Sequence, residues 1–324
     1  MAEKIKFVEV CSGGGGLSLG FLNKGFECIL LNDINKNCIK TLKENHSVEV
    51  YENCFTEIKW DKYKNLDLLI GGVPCQAFSQ AGNRKGLNDK RGDLILKFIE
   101  ILNNIKPKVF MIENVKGLKT HNKGETLKFI LSKIEKSYNI YVKVLNANDY
   151  SVPQKRERLF IVGVSKTIKK IFNFPIEHSY KPVLKDVLND ISETEGIRYN
   201  EKKIELFKKI PQGGCWINLP TELQKEYLGN SFNSSGGKRG ILKRLDMNKP
   251  SLTLLTNPTQ KQTERCHPLE NRPLNIREYA RIQTFPDSYK FIGCTSQKYL
   301  QIGNAVPVKL AEALAEEIKK LFDI

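Results

Sequence analysis

The chain has 324 residues, a length that favours two structural units over a single small core. Hydrophobic residues make up 40% of the sequence, which indicates packed globular domains and excludes a mainly disordered chain. The formal net charge of +16 at pH 7 favours a polyanionic partner, with nucleic acid as the first candidate.

The spacing of the cysteines and the hydropathy of the sequence further restrict the class of protein. The 8 cysteines include no C-x-x-C pair, so neither a zinc site nor a redox motif is expected, and no metal is predicted. No apolar run approaches the ~20 residues that a membrane span requires, and the first residues lack the apolar region of a signal peptide. Free thiols in such a chain are typical of a reducing compartment, which predicts a cytoplasmic protein with no membrane partner.

The start of the chain alternates strands and helices. Residues 6–16 comprise an apolar strand and a glycine-rich turn, and a helix is predicted from Leu17. A dinucleotide fingerprint of the form G-x-G-x-x-G would need a third glycine where Ser18 stands. A second strand, 27–32, ends at Asp33, and an acid at that place typically holds ribose hydroxyls. The pattern predicts a nucleoside-containing cofactor, and a nicotinamide cofactor is an alternative at this point.

The stretch 71–79, Gly-Gly-Val-Pro-Cys-Gln-Ala-Phe-Ser, follows a short apolar run, 66–70, that is typical of a buried strand. Pro74 restrains the backbone just before Cys75. A thiol at the carboxyl end of a central strand lies where open α/β sheets bind ligands, although free cysteines are more often small buried hydrophobes. The polar, basic loop 80–92 has the composition of a mobile lid.

Two further groups of polar residues follow predicted strands. One strand ends in Glu113, which has two possible roles, a chemical one or that of a turn or capping acid. After Pro153, an extended backbone would place Gln154, Arg156 and Arg158 on one face. Two arginines on one face suit phosphate or base contacts, and a solvated surface is the alternative.

The regular alternation of predicted strands and helices is lost between residues 166 and 264, a stretch rich in Lys, Asn, Gly and Pro. Its basic cluster, 238–244, is a candidate for contacts with a nucleic-acid backbone. Helices are predicted again from Asn275 and from Pro307, a favoured first helical position. The apolar stripe of the last helix must pack on something large, and the sheet of the first half is the natural partner.

Six short motifs together resemble those of the bacterial DNA (cytosine-5)-methyltransferase family, in family order and over nearly the whole chain. They are Ser12-Gly13-Gly14-Gly15-Gly16, Pro74-Cys75-Gln76, Glu113-Asn114-Val115, Gln154-Lys155-Arg156-Glu157-Arg158, the block from Arg272 to Pro286, and Gly303-Asn304-Ala305-Val306.

The resemblance implies an α/β fold, with the doubly wound, mostly parallel, Rossmann-like sheet of S-adenosylmethionine-dependent methyltransferases and a smaller irregular target-recognition domain. The expected domains are 1–165 for catalysis and cofactor binding, 166–264 for target recognition, and 265–324 as a return segment completing the catalytic domain.

The resemblance also implies the chemistry. Methyl transfer would run from S-adenosylmethionine to carbon 5 of a cytosine flipped out of a short, specific duplex site. Cys75, as a thiolate, would add to carbon 6, and Glu113 would hold ring nitrogen 3 and the exocyclic amine. Arg158 would contact the cytosine carbonyl, Arg156 would support the site or a phosphate, and the segment 77–92 would close over the base. Partners implied are double-stranded DNA and, functionally rather than physically, a restriction endonuclease against which the monomeric enzyme protects bacterial host DNA.

The resemblance assigns two sets of binding residues. The cofactor-binding set is Cys11, Ser12, Gly13, Gly15, Gly16, Leu17, Asp33, Ile34, Phe55, Pro74, Leu94, Asn304 and Ala305. The DNA-binding set is Gln76, Ser79, Arg84, Lys85, Gln154, Lys238, Arg239 and Thr253. The family usually has phenylalanine at position 11, tryptophan at 34 and often aspartate at 54, so a less aromatic and less polar cofactor pocket is expected from Cys11, Ile34 and Cys54.

Three other functions are alternatives to this interpretation. A tRNA methyltransferase of the same superfamily would use the same cysteine and glutamate, but such relatives have a much smaller variable region than 166–264. A DNA-binding protein without activity would not need Cys75, Glu113 and Arg158 together. A nicotinamide-dependent oxidoreductase is disfavoured by the missing third glycine.

Overall fold

The structure is a computed structural model that describes residues 4–74, 93–190, 195–233 and 240–322. Its strands are β1 (Lys6–Val10), β2 (Glu27–Asn32), β3 (Val50–Tyr51), β4 (Leu68–Gly71), β5 (Val109–Val115), β6 (Tyr138–Asn146), β7 (Gln154–Lys155), β8 (Glu157–Ser165) and β9 (Ser251–Leu252). Its helices are α1 (Gly16–Asn23), α2 (Lys36–Asn45), α3 (Asp93–Ile105), α4 (Gly117–Thr120), α5 (Glu125–Ser132), α6 (Glu201–Lys208), α7 (Thr221–Leu228), α8 (Ile276–Ile282), α9 (Thr295–Asn304) and α10 (Val308–Lys319).

Seven of the described strands form one sheet in the order β3-β2-β1-β4-β5-β8-β6. The first five strands are parallel to one another, whereas β8 runs antiparallel to both β5 and β6. The prediction of a doubly wound, mostly parallel α/β sheet is confirmed. The chain turns from β1 to β2 on one side and later returns to β4 on the other, so the strand order reverses between β1 and β4. Open α/β sheets bind ligands at such a switch point, outside the carboxyl ends of the strands.

The sheet is covered on both faces by hydrophobic cores, as expected for parallel strands with continuous apolar runs. On one face, Phe98 and Leu102 of α3 pack with Phe110 of β5. On the other face, Leu310 and Leu314 of α10 share a core with residues of β1, β4 and β8. The C-terminal helix therefore packs on the sheet, as its apolar stripe predicted.

Residues from the middle of the chain pack in three different hydrophobic cores. Phe172 packs into the core beneath the sheet, and Leu184 packs with the helices of the last segment. Residues between 199 and 266 have a small core of their own, which includes Phe207, Leu242 and Cys266. The short strand β9 pairs in parallel with β7, a contact outside the main sheet that joins this region to the first half of the chain. The division into domains at 166 and 264 stays a prediction.

No helix in the described parts of the chain is long and apolar enough to cross a membrane.

Candidate active site

A cavity of about 350 Å³ lies at the switch point of the sheet. Its walls come from the carboxyl ends of β1, β2, β4 and β5, and from the end of α9. The described residues that line it are Glu9, Cys11, Ser12, Gly13, Leu17, Asp33, Asn35, Cys38, Gly72, Val73, Pro74, Glu113, Asn114, Val115, Arg158, Leu300, Gln301, Asn304, Ala305 and Val306. The volume is within the range of small-molecule pockets.

The glycine-rich turn is held against the tip of β2. The backbone N–H of Gly13 donates to one carboxylate oxygen of Asp33 at 2.8 Å, and that of Asn35 donates to the other oxygen at 2.8 Å. Gly13 has a φ of +55°, a backbone conformation that favours glycine. Burial raises the pKa of Asp33, and these backbone N–H groups oppose the shift. The carboxylate is therefore fixed in place at the edge of the cavity.

Across the cavity, Glu113 and Arg158 form an ion pair, with 3.0 Å between Nε of Arg158 and Oε1 of Glu113. The two side chains are only 13% and 17% exposed. The antiparallel pairing of β5 with β8 brings them together, since it places Arg158 opposite Val115, two residues beyond Glu113. Burial raises the pKa of Glu113, and the positive charges of Arg158 and Arg156 oppose that shift. The pair combines a carboxyl group and a guanidinium group in one partly dehydrated wall.

The same wall includes the chain just before Cys75. The side-chain amide of Asn114 donates to the carbonyl oxygen of Val73 at 3.1 Å, which joins the ends of β5 and β4. A Cβ on Gly72 would lie 3.4 Å from Oε2 of Glu113, so the backbone approaches the carboxyl group closely here. Pro74 lines the cavity, and the next residue, Cys75, lies outside the described residues.

Arg156 is not among the described residues that line the cavity. It is 1% exposed, and its guanidinium donates to the carbonyl oxygens of Leu254 at 3.1 Å, Gly303 at 2.9 Å and Asn304 at 3.3 Å. The expected role of Arg156, to support the site or a phosphate, stays a prediction, and the contacts seen here are interior ones. Its side chain joins the segment after β9 to the end of α9.

Gln154 is also fully buried. Its amide nitrogen donates to Gln283 Oε1 at 2.8 Å, and its amide oxygen accepts the backbone N–H of Leu254 at 2.9 Å. Gln154 is thus enclosed by other segments of the chain, and its expected contact with DNA stays a prediction. The alternation along an extended strand correctly separated residues 154 and 156 from exposed Lys155, but it could not show that other segments cover their face.

The predicted cofactor-binding residues fall into two groups. Lining the cavity are Cys11, Ser12, Gly13, Leu17, Asp33, Pro74, Asn304 and Ala305. The others are not among its described lining residues, and they are Gly15, Gly16, Ile34, Phe55 and Leu94. A Cβ on Gly16 would meet the carbonyl of Val306, Ile34 is 71% exposed, and Phe55 packs edge-on against Phe98 in the core.

The sequence interpretation missed several residues of the cavity wall, above all Glu9. The signal was present, because Glu9 is an acidic residue flanked by the apolar residues Val8 and Val10 in β1. Asn35, Cys38, Leu300 and Gln301 gave no comparable signal, since their positions depend on how α2 and α9 pack against the sheet.

The predicted DNA-binding residues are mostly beyond what the structure describes. Gln76, Ser79, Arg84, Lys85, Lys238 and Arg239 lie outside the described residues. Thr253 is half-buried, and its hydroxyl donates to the carbonyl of Lys155 at 2.8 Å. Within the basic cluster, Arg244 is buried, and it donates to the carbonyls of Phe207, Ile210, His267 and Glu270. Arg244 therefore joins interior segments, and the contact of the cluster with a nucleic-acid backbone stays a prediction.

The mostly parallel sheet and the cavity at its switch point define the Rossmann-like class of α/β proteins. The family model of the C-5 cytosine-specific DNA methylases matches residues 5–320. The chain therefore belongs to that family, and it is a DNA (cytosine-5)-methyltransferase. The resemblance found in the sequence motifs is confirmed.

Similar proteins agree with this assignment. The chain is 45% identical to the Type II methyltransferase M.Sau96I of Staphylococcus aureus, over 96% of this chain and 74% of that protein. It is 44% identical to the Type II methyltransferase M.Eco47II of Escherichia coli, over 98% of this chain and 79% of that protein. Among solved structures, the Entamoeba histolytica methyltransferase EhMeth superposes with a TM-score of 0.73 at 18% identity, covering 98% and 99% of the two chains, which supports the fold.

Proposed function

We propose that this protein transfers a methyl group from S-adenosylmethionine to carbon 5 of a cytosine that is flipped out of a short duplex site. The observation that carries the proposal is the Glu113–Arg158 pair, which shares one cavity with Asp33 and with the segment leading to Cys75. The related Type II methyltransferases support a place in a restriction-modification system, in which the methyl group protects DNA against a cognate endonuclease.

The residues of the cavity fit S-adenosylmethionine. Asp33 offers its fixed carboxylate to ribose hydroxyl groups at the tip of β2. The buried Glu9 places an acidic group with an unpartnered oxygen beside the space for a cationic ligand. Leu17, Pro74 and Ala305 provide apolar walls. When bound, the cofactor supplies an electrophilic methyl group.

The protein groups act on the cytosine ring. The thiolate of Cys75 adds to carbon 6, which breaks the aromaticity and makes carbon 5 nucleophilic. Glu113 carries a proton more readily than a solvated carboxyl group, because burial raises its pKa, and it can hydrogen-bond ring nitrogen 3 as negative charge develops there. Arg158 orients Glu113 through its Nε, and its Nη1 donates to the backbone carbonyl of Glu157 at 2.9 Å. Its Nη2 would contact the ring carbonyl. After methylation, loss of the carbon 5 proton and expulsion of Cys75 restore the aromatic ring.

The location of these groups supports base flipping. Glu113 and Arg158 are held within a recessed wall, where a cytosine stacked inside a duplex cannot meet them. Extrusion of the base into the cavity brings the ring edge to the pair.

One experiment tests the reaction. The protein is incubated with labelled S-adenosylmethionine and either mixed-sequence duplex DNA or tRNA, and label in 5-methylcytosine is measured by mass spectrometry. We expect label in DNA only, with no transfer by Cys75→Ser and normal transfer by Cys294→Ser, which removes an exposed thiol. Duplex DNA with 5-fluorocytosine at the target should form a covalent adduct on Cys75. Label in tRNA alone, or an adduct on another cysteine, would contradict the proposal.

Sequence recognition is proposed for the region 166–264. Its own small core around Phe207 and Leu242 supports a semi-independent unit that can change without disturbing the sheet. Base contacts would come from its loops, and Lys238 would contact phosphates regardless of sequence. The methylated site is first mapped on genomic DNA, and the region is then exchanged for that of a relative with a different site. A chimaera that keeps the original site would place recognition elsewhere in the chain.

A further inference from the structure

A buried acid in the cavity wall has no part in the chemistry on cytosine. Glu9 is on β1 and is 1% exposed. Its sheet neighbours are Leu31 of β2 and Ile70 of β4, both fully buried apolar residues. One of its carboxyl oxygens, Oε2, has no hydrogen-bond partner among the described residues, although Glu9 lines the cavity. A carboxylate in such a place is costly unless a cation or several donors face it.

The surroundings of Glu9 offer no such cation among the described residues. The ionisable groups that interact with it are Asp33, Cys11, Cys28 and Tyr289, and all of them are acids. Burial raises the pKa of Glu9 to about 8, and hydrogen bonds from Ser18 oppose the shift only in part. Burial also raises the pKa values of both thiols and of the phenol, so these three groups stay neutral near pH 7. Glu9 is therefore mostly protonated at neutral pH when no cation is bound.

We propose that Glu9 is a charge-compensating group that releases its proton when a sulfonium ligand enters the cavity and takes a proton back when that ligand becomes a thioether. The inference rests on the proposed function, since it requires the methyl donor to occupy this cavity. The proton of Glu9 passes to solvent, and no covalent bond to the ligand is formed. Methyl transfer removes the positive charge of the sulfur and leaves a buried carboxylate facing a neutral ligand. That state is unfavourable until the carboxylate is protonated, so Glu9 makes affinity for donor and product respond differently to pH.

Proton release by Glu9 makes the affinity for S-adenosylmethionine depend on pH in one direction. Below about pH 8, binding that ionises Glu9 must release a proton, so the affinity for S-adenosylmethionine should rise with pH, by up to about tenfold per pH unit. The affinity for S-adenosylhomocysteine should not show the pH dependence that ionisation of Glu9 causes. The α-amino group is common to the two ligands, so its contribution is minimised in the comparison between them.

Calorimetric titration of the ligand-free protein without DNA measures the protons directly. Each ligand is titrated at pH 7 in buffers with different ionisation enthalpies, and the dependence of the observed heat on the buffer gives the number of protons released. We expect wild type to release most of one proton more with S-adenosylmethionine than with S-adenosylhomocysteine. An unreactive analogue with an ammonium group in place of the sulfonium should behave like S-adenosylmethionine.

Two variants separate Glu9 from other groups. Glu9→Gln keeps the shape of a neutral carboxyl group and should abolish the difference between the two ligands. Glu113→Gln removes a carboxyl group from the same cavity but one already paired with Arg158, and it should keep the difference. Equal proton release by the two ligands in wild type, or an undiminished difference in a folded Glu9→Gln protein, would overturn the inference. If the ligands bind and cytosine is methylated while that difference is missing, only the inference fails, whereas absence of binding by both ligands would overturn the proposed function as well.

Discussion

Replacement of Arg156 by methionine tests whether this arginine is a structural connection between distant segments. Its guanidinium makes three hydrogen bonds to backbone carbonyls, of Leu254, Gly303 and Asn304, and its Nε has no hydrogen-bond partner among the described residues. No carboxylate of the described residues forms an ion pair with it. Burial, together with the nearby charge of Arg158, lowers the pKa of Arg156 well below its ordinary value, which reflects the cost of a dehydrated charge.

Two opposing effects determine how much Arg156→Met changes the free energy of unfolding. Hydrogen bonds from a charged donor contribute roughly 1.5–3 kcal/mol each, so three of them contribute roughly 4.5–9 kcal/mol. Removal of a buried charge with an unsatisfied nitrogen returns several kcal/mol of desolvation. We expect Arg156→Met to lower the free energy of unfolding by about 3 kcal/mol, and Arg156→Lys by less, because an ammonium keeps the charge but cannot span three carbonyls.

Urea unfolding followed by circular dichroism measures the change. Lys155→Met is the matched control, because Lys155 is the exposed neighbour on β7 and its replacement should change stability by less than about 0.5 kcal/mol. A loss below about 1 kcal/mol for Arg156→Met, or a loss as large in the control, would refute the structural role.

Three further outcomes are expected. Folding raises the pKa of Glu9 from 4.5 to about 8, so the folded protein holds this proton more tightly than the unfolded chain. The resulting contribution to the free energy of unfolding is complete below about pH 4.5 and is lost as pH rises toward 8. In urea unfolding of ligand-free protein, wild type should therefore lose up to about 1.4 kcal/mol per pH unit relative to Glu9→Gln over this window, and parallel curves would contradict the assignment. Cys11→Phe should leave the affinity for S-adenosylmethionine unchanged or tighten it by up to about 1 kcal/mol through stacking, and a larger loss in calorimetry would mean that the cavity is shaped around the smaller side chain. Gly303→Ala should destabilise the fold by roughly 1–3 kcal/mol in thermal unfolding, since its Cβ would lie 2.5 Å from the backbone carbonyl oxygen of Leu255, and an unchanged melting temperature would show that this contact relaxes freely.

The parts of the site that sequence predicted best are those built from consecutive residues. The apolar runs of β1, β2, β4 and β5 specify strands, and in a parallel sheet the residues after these runs meet at one edge. Asp33, Pro74 and Glu113 each follow such a run, and all three line the cavity. The order of the motifs also led to the correct family.

Residues whose role depends on coverage by distant segments were not predictable in the same way. The sequence did not show that Phe55 packs in the core with Phe98, or that Gln154 is enclosed by residues 254 and 283. A polar side chain on an extended strand looks the same in sequence whether solvent or another segment lies over it.

The sequence by itself determined the class of fold, the family and the edge of the sheet where the chemistry lies, because hydrophobic periodicity and short motifs are local properties of the chain. The tertiary structure decided which polar residues face the cavity and which are buried connections. Arg156 meets carbonyl groups 98 and 147 residues away in the sequence, and Glu9 becomes a buried acid only because β2 and β4 flank it with apolar side chains. Burial and the free energy of a charge depend on these neighbours in space, and the neighbours exist only once the chain has folded.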